Sequence, residues 1–177
     1  MKHSLLLGPG HSRHRIHGGP YFGSIPNELI SVADRSADIL ADWREAEKRY
    51  SVDLQQPPFP FPPSYYDEIH AYEVLNLLPG DEIDFFNLWR SLWDTLNPGG
   101  KVFVTVPHWQ SQWIHGYPAP QRVYTVGLLA YLDSDKKISA KENFELWEPP
   151  YNFTLESAYD VGEPPQGFYF TLVKNAR

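Results

Sequence analysis

Apolar residues along this chain come in short runs separated by glycine, proline and polar stretches, and the period of each run predicts its element. Leu5-Leu6-Leu7 is closed at once by Gly8-Pro9-Gly10, which predicts a buried strand opening into a tight loop. The stretch to about Pro26 is rich in Gly, His, Arg and Pro and reads as loop with a short helix at most. Leu29 to Ala33 predicts a second strand, ending at Asp34. Asp38 to Asp42 reads as a short third strand, and Trp43 to Tyr50, rich in Glu, Lys, Arg and Ala, as one or two helical turns. Five prolines between Gln55 and Ser64 exclude a helix interior or central strand there. They leave a surface loop or, alternatively, a polyproline docking ligand.

Tyr66 to Glu73 reads as a strand running into Val74-Leu75. The clearest helix pattern follows. Asp81 is placed to cap it, and Phe85, Trp89, Leu92 and Leu96 recur at helical spacing, with Ile83, Phe86, Leu88 and Trp93 widening the apolar face. Asn97-Pro98-Gly99-Gly100 ends the helix, and Lys101 to Val106 is a buried strand stopped by Pro107. Trp109, Trp113 and Tyr117 are spaced by four, as on one face of a short helix or lid, or as ordinary core beneath one. Val123 to Leu132 reads as a second amphipathic helix. Asn143 to Trp147 and Phe168 to Val173 read as late strands joined by a long proline-rich excursion and antiparallel to each other. Such alternation predicts an α/β fold with a mostly parallel sheet and an antiparallel C-terminal strand. Within it, the strands from Leu5 and Ile69 are expected to be neighbours.

With 177 residues, one domain spanning 1–177 is expected. At 42% hydrophobic and 21% charged residues, disorder is excluded. No apolar run is long enough for a membrane-spanning helix, and the N-terminal leucines are too few for a signal peptide. The absence of cysteine excludes disulfides, thiolate metal sites and a cysteine nucleophile, and fits a cytoplasmic protein. A net charge of −7, with Arg13, His14, Arg15 and His17 as the only basic cluster, does not favour nucleic-acid binding. His11, His14 and His17 recur every three residues, either as metal ligands or as a solvated segment without nearby acids; Arg13 and Arg15 beside them suit an anion.

In a sheet of this kind ligands bind beyond the carboxyl ends of the strands, where strand order reverses. Gly8 and Gly10 follow the first strand, where glycine lets backbone approach a ligand. Asp34 ends the second strand, 24 residues after Gly10, near the spacing at which a carboxylate grips ribose hydroxyls. Tyr72 and Glu73 end a later strand at the same crevice. Each also has a plainer reading, the glycines as a common turn and Asp34 as a turn or cap residue.

Leu5-Leu6-Leu7-Gly8-Pro9-Gly10, Ala33-Asp34-Arg35, Tyr66-Asp67-Glu68-Ile69-His70-Ala71-Tyr72-Glu73-Val74-Leu75 and Leu96-Asn97-Pro98-Gly99-Gly100-Lys101 together resemble the class I S-adenosylmethionine-dependent methyltransferases, over about residues 4–133. The nearest likeness is to the small bacterial and phage members. The resemblance implies a Rossmann-like fold, minimal at its N-terminus, and S-adenosylmethionine as cofactor. It further implies Gly8 and Gly10 under the methionine part, Asp34 on the ribose, Asp42 near the adenine amine, and Tyr72 or Glu73 near the methionine end. Asp53 is the alternative ribose acid. His108 and His115, with Trp109 and Trp113, fall where acceptors bind and are the candidate catalytic groups for a small-molecule or protein acceptor. The chain has Leu6 where many members carry an acid, lacks a third glycine, and has Asn76-Leu77 after Val74-Leu75. The alternative is therefore a methyltransferase-fold protein without catalysis, acting as a binding or structural partner.

Overall fold

The computed structural model describes residues 2–10, 29–78, 81–116, 118, 122–134 and 151–175. Within them a seven-stranded sheet has the order β3-β2-β1-β4-β5-β7-β6. Its strands are β1 (Ser4–Leu7), β2 (Ile30–Asp34), β3 (Arg49–Ser51), β4 (Tyr66–Tyr72), β5 (Leu96–Pro107), β6 (Phe153–Val161) and β7 (Gly167–Lys174). The first five run parallel, and β7 is antiparallel to both β5 and β6. Leu5 sits beside Ile69 in the register, as the sequence predicts. Among the described residues four α-helices accompany the sheet: α1 (Ala37–Asp42), α2 (Glu82–Thr95), α3 (Gln112–Gly116) and α4 (Val126–Leu129).

The α2 helix begins where Asp81 accepts the Asp84 N–H at 3.0 Å. Its apolar stripe buries Phe85, Trp89 and Leu92 against Leu7, Ile69 and Val104 of the sheet. Ile83, expected on that stripe, instead faces solvent at 67% exposure. The far end of α2 is tied to β7 by Lys174. This buried ammonium donates to the carbonyls of Trp93 at 2.8 Å and Leu96 at 2.7 Å, and lies 3.9 Å from the centroid of the Trp93 ring. Carbonyls at a helix C-terminus otherwise lack partners, so a cation there satisfies both hydrogen bonding and the helix dipole.

Several local expectations are corrected. Asp38–Asp42 is helix rather than strand: five residues fit either period, and the Ser36 hydroxyl, which accepts the Ile39 N–H at 3.4 Å, decides for α1. Trp43–Tyr50 is not helical. It turns and enters β3, where pairing of Arg49 to Ser51 with Val32 to Asp34 overrides local propensity. The Asn97-Pro98-Gly99-Gly100 stretch ends α2 as expected but is also drawn into β5, with a register shift between Tyr66 and Glu68. The helix expected over Val123–Leu132 is confined to α4. The late strands are β6 and β7, joined by the short turn 162–166 rather than a long excursion. The strand expected at Asn143–Trp147, the three histidines 11, 14 and 17, and Tyr117 lie outside the described residues. No described helix is long and apolar enough to cross a membrane.

Candidate functional site

The parallel strands end at one edge in the order β2, β1, β4, β5, and the chain reverses its winding direction between β1 and β4. Gly8 and Gly10 leave β1 with φ of 56° and 64°, the left-handed region that favours glycine. The Gly8 N–H donates to Ala33 O at 2.9 Å, which pins the loop to the end of β2. A Cβ on Gly8 would lie 2.6 Å from Cγ2 of Val74, whereas one on Gly10 would meet nothing within 4 Å. Glu73, the residue after β4, also has a positive φ, 55°, and its N–H donates to Thr105 O at 2.7 Å. Backbone held in this region by a non-glycine residue is costly, and such strain concentrates at functional edges.

Asp34 ends β2 half-buried, with Oδ1 accepting the Ser36 N–H at 2.8 Å and its carbonyl accepting the Val52 N–H at 3.0 Å. One carboxylate oxygen thus orders the entry to α1. Asp53 makes a similar turn beyond β3, accepting the Gln55 N–H at 3.0 Å, one strand further from β1. The structure brings Gly8, Gly10, Asp34, Tyr72 and Glu73 to one edge. Asp42 is the exposed last residue of α1, carried about 8 Å along the helix axis from its first turn.

Past β5, His108 is buried. Its Nδ1 accepts the Gln110 N–H at 3.3 Å, and its Nε2 faces Asp160 Oδ1 at 3.4 Å. Both ring nitrogens are thereby engaged. Ser111 Oγ donates to Gln166 Oε1 at 3.3 Å, so the segment is stapled to the β6–β7 turn. His115 is exposed and donates from Nε2 to Trp109 O at 3.0 Å. Trp109 and Trp113 are 50% and 65% exposed, which excludes the core reading for them.

Two features were missed in the sequence. Val74 presses on Gly8, and the buried Trp43 donates its indole N–H to Gly10 O at 3.2 Å from the sheet face below. A polar chain also runs along β4, at the alternate positions Glu68, His70 and Tyr72. His70 Nδ1 is 2.9 Å from Tyr72 Oη, and His70 Nε2 is 3.3 Å from Glu68 Oε2. The His70 ring stacks on Phe103 at 4.9 Å and is 0% exposed. Hydrogen bonding from His70 holds the Glu68 carboxyl at about 2, while burial pushes the His70 pKa below its ordinary value. Three polar residues at i, i+2 and i+4, alternating with Ile69 and Ala71, were the available signal.

No protein-family model and no curated protein sequence matches this chain. Solved structures do. The chain superposes along 100% of its length on 85% of a methyltransferase from Haloferax volcanii in complex with the Trm112 methyltransferase activator, with TM-score 0.69 and 10% identity. It is similar to the [4+2]-cyclase SpnF, with TM-score 0.65 and 13% identity over 99% of this chain and 76% of that one. It is also similar to the N-methyltransferase NodS of Bradyrhizobium japonicum in complex with S-adenosyl-L-homocysteine, with TM-score 0.60 and 10% identity over 99% of this chain and 79% of that one. Strand order, the antiparallel β7 and these superpositions agree: the chain has the Rossmann-like fold of the class I S-adenosylmethionine-dependent methyltransferases.

Proposed function

We propose that this chain binds S-adenosylmethionine at the carboxyl edge of β1, β2 and β4 and transfers its methyl group to a small-molecule or protein acceptor. The observation that carries the reading is the convergence of Gly8, Gly10, Asp34, Tyr72 and Glu73 at the reversal of strand order. The residues fit such a group. The space where a Gly10 side chain would stand is open, and Asp34 keeps a second carboxylate oxygen for ribose hydroxyls. Gly8 and Gly10 would hold the methionine part, Tyr72 or Glu73 its end, and Asp42 the adenine amine as the outermost contact.

The bound cofactor supplies a methyl carbon on a sulfonium, open to in-line displacement. The chain's own task is to align the acceptor, exclude water and take a proton from it where needed. Trp109 and Trp113 offer exposed faces for a flat or cationic acceptor. His115 has Nδ1 without a partner among the described residues and is the better-placed base. His108, tied at both nitrogens, holds the segment in place.

The test is calorimetry with S-adenosylmethionine and S-adenosylhomocysteine. Both should bind, and Asp34→Asn should weaken binding roughly tenfold to over a hundredfold, the loss of a charge-assisted hydrogen bond. His115→Ala should slow turnover while leaving cofactor affinity nearly intact. A second reading, a partner protein without catalysis, is favoured by one observation: Trp43 is buried against the loop carbonyl of Gly10. Absence of binding at millimolar cofactor would decide for it, with Trp109 and Trp113 as the contact surface.

A further inference from the structure

The loop that leaves β1 is held at both of its glycines. At Gly8 the contact is apolar: a Cβ there would lie 2.6 Å from Cγ2 of Val74, and the N–H donates to Ala33 O at 2.9 Å. At Gly10 the contact is polar. The indole N–H of Trp43 donates to the Gly10 carbonyl oxygen at 3.2 Å, and an indole has only that one donor. Trp43 is 4% exposed and packs with Leu6, Ile30, Val32 and Leu40 on the sheet face opposite α2. Its backbone is fixed at the end of α1, where its N–H donates to Leu40 O at 3.3 Å and its carbonyl accepts the Ala46 N–H at 3.1 Å. Leu6, Ile30 and Val32 lie short of the strand ends, so the Gly10 oxygen is aimed back toward the sheet. Gly10 itself sets no such direction. Its φ is 64°, nothing lies within 4 Å of its Cβ position, and glycine turns its carbonyl at little steric cost. A buried indole N–H without an acceptor is costly, so donor and acceptor fix each other.

We propose that Trp43 is a positioning residue for the methionine half of the cofactor: its indole N–H holds the Gly10 carbonyl toward the sheet and keeps that oxygen from facing the cofactor's carboxylate. This rests on the cofactor reading above. A carbonyl oxygen is the negative end of the peptide dipole. Turned into the crevice it would repel a carboxylate and take the room that Gly10 leaves open. Adenine and ribose fall to Asp42 and Asp34 in that reading, so Trp43 acts on the amino-acid half alone. The contact comes from the sheet side, and removing the donor loosens the loop. Were the ring a plug in the crevice, removing it would open the site. The two roles predict opposite signs.

Calorimetry compares S-adenosylhomocysteine with methylthioadenosine, which keeps the adenine, ribose and thioether and lacks the amino-acid portion. The ratio of the two affinities cancels contacts to the nucleoside. Trp43→Phe keeps an aromatic ring in the cluster and removes the N–H. It should lower the ratio about three- to tenfold, the loss of one hydrogen bond, while methylthioadenosine binding holds. Asp34→Asn should weaken both ligands alike and leave the ratio in place. Leu40→Ala thins the same cluster but spares the indole donor, and should lower the unfolding midpoint without moving the ratio. A ratio unchanged or raised in Trp43→Phe overturns the proposal, and so does a ratio lowered as far by Leu40→Ala. The unsubstituted protein gives a second measurement. The indole ¹H–¹⁵N resonance of Trp43 should shift on adding S-adenosylhomocysteine and stay on adding methylthioadenosine. A resonance that ignores the first ligand, or answers both equally, overturns the proposal without any variant. If methylthioadenosine binds and S-adenosylhomocysteine binds no tighter, the positioning role is wrong while the nucleoside site stands. If neither binds, the cofactor reading itself fails, and the positioning role with it.

Discussion

On one face of the sheet Leu5, Leu7, Ile69, Val104 and Phe170 meet the aromatic stripe of α2, with Trp89 and Leu92 fully buried among them. On the other, Leu6, Ile30 and Val32 pack with Leu40 and Trp43, and the next strand carries Glu68, His70 and Tyr72 instead of aliphatic residues. The first face is uniformly apolar and extends from Leu54 to Leu172. The second mixes a small apolar cluster with a buried polar chain whose members each need a particular partner. Stability from the first is nondirectional and scales with area. Order on the second is directional, and a single wrong proton undoes it. The candidate site lies where the two meet, at the carboxyl edge of β1 and β4.

The contrast is broken most directly by Trp89→Ala. Trp89 is 0% exposed and packs at 5.9 Å against Phe153 and 6.3 Å against Phe170. Its loss should cost about 3–5 kcal/mol in denaturant unfolding, by transfer plus cavity. Leu6→Ala, on the opposite face, should fall at the low end of the large-to-small range, about 2 kcal/mol, because its cluster is smaller and can close on the gap. Equal costs would mean that the two faces are packed alike.

The acid response sharpens the comparison further. His70 has a folded pKa below its ordinary 6.5, so the unfolded chain binds more protons and stability falls as pH drops through 6.5. Glu68 has its folded pKa depressed from 4.5 to about 2, so its contribution is whole above 4.5 and is lost as pH falls from there toward 2. Denaturant midpoints should therefore decline below pH 6.5 and again below pH 4.5. His70→Phe should remove the first step and leave the second smaller. A flat midpoint from pH 7 to 5 would show that His70 is not buried neutral.

How much of this was legible depended on how many independent signals each residue carried. The crowded face was readable because Phe85, Trp89 and Leu92 repeat at 3.6 and Val102, Val104 and Val106 alternate, and because Asp81 and Asn97 mark the helix ends. That Gly8, Asp34 and Tyr72 lie at one edge was readable because strand ends in such a sheet share it. Asp38–Asp42 was misread because five residues carry less than two helical turns. Arg49–Ser51 was missed because a short edge strand is made by its neighbour β2, not by its own residues. Val74 against Gly8 and Trp43 under Gly10 are contacts between segments 66 and 33 residues apart, and one sequence shows no such pairing. The tryptophans after β5 were the hardest, since Trp is common both in cores and at binding surfaces.

Those tryptophans supply the smallest expected effect and the most informative contrast with Trp89. Trp113 is 65% exposed on α3, and Trp109, at 50%, precedes it. The segment is held by His108 N–H to Gln166 O at 2.9 Å, by His108 against Asp160, and by the buried Ile114. An exposed side chain removed from a segment anchored elsewhere costs little, so Trp113→Ala should leave the unfolding midpoint within about 0.5 kcal/mol of the unsubstituted protein. Trp89→Ala removes the same side chain from the crowded face and should cost several times as much. A large aromatic exposed to this extent presents its face to an acceptor or a partner, and Trp113→Ala should therefore act on acceptor affinity or turnover while the melting curve stays in place. A loss of stability matching that of Trp89→Ala would mean that Trp113 is core after all, and the acceptor surface would have to be sought at another part of the edge.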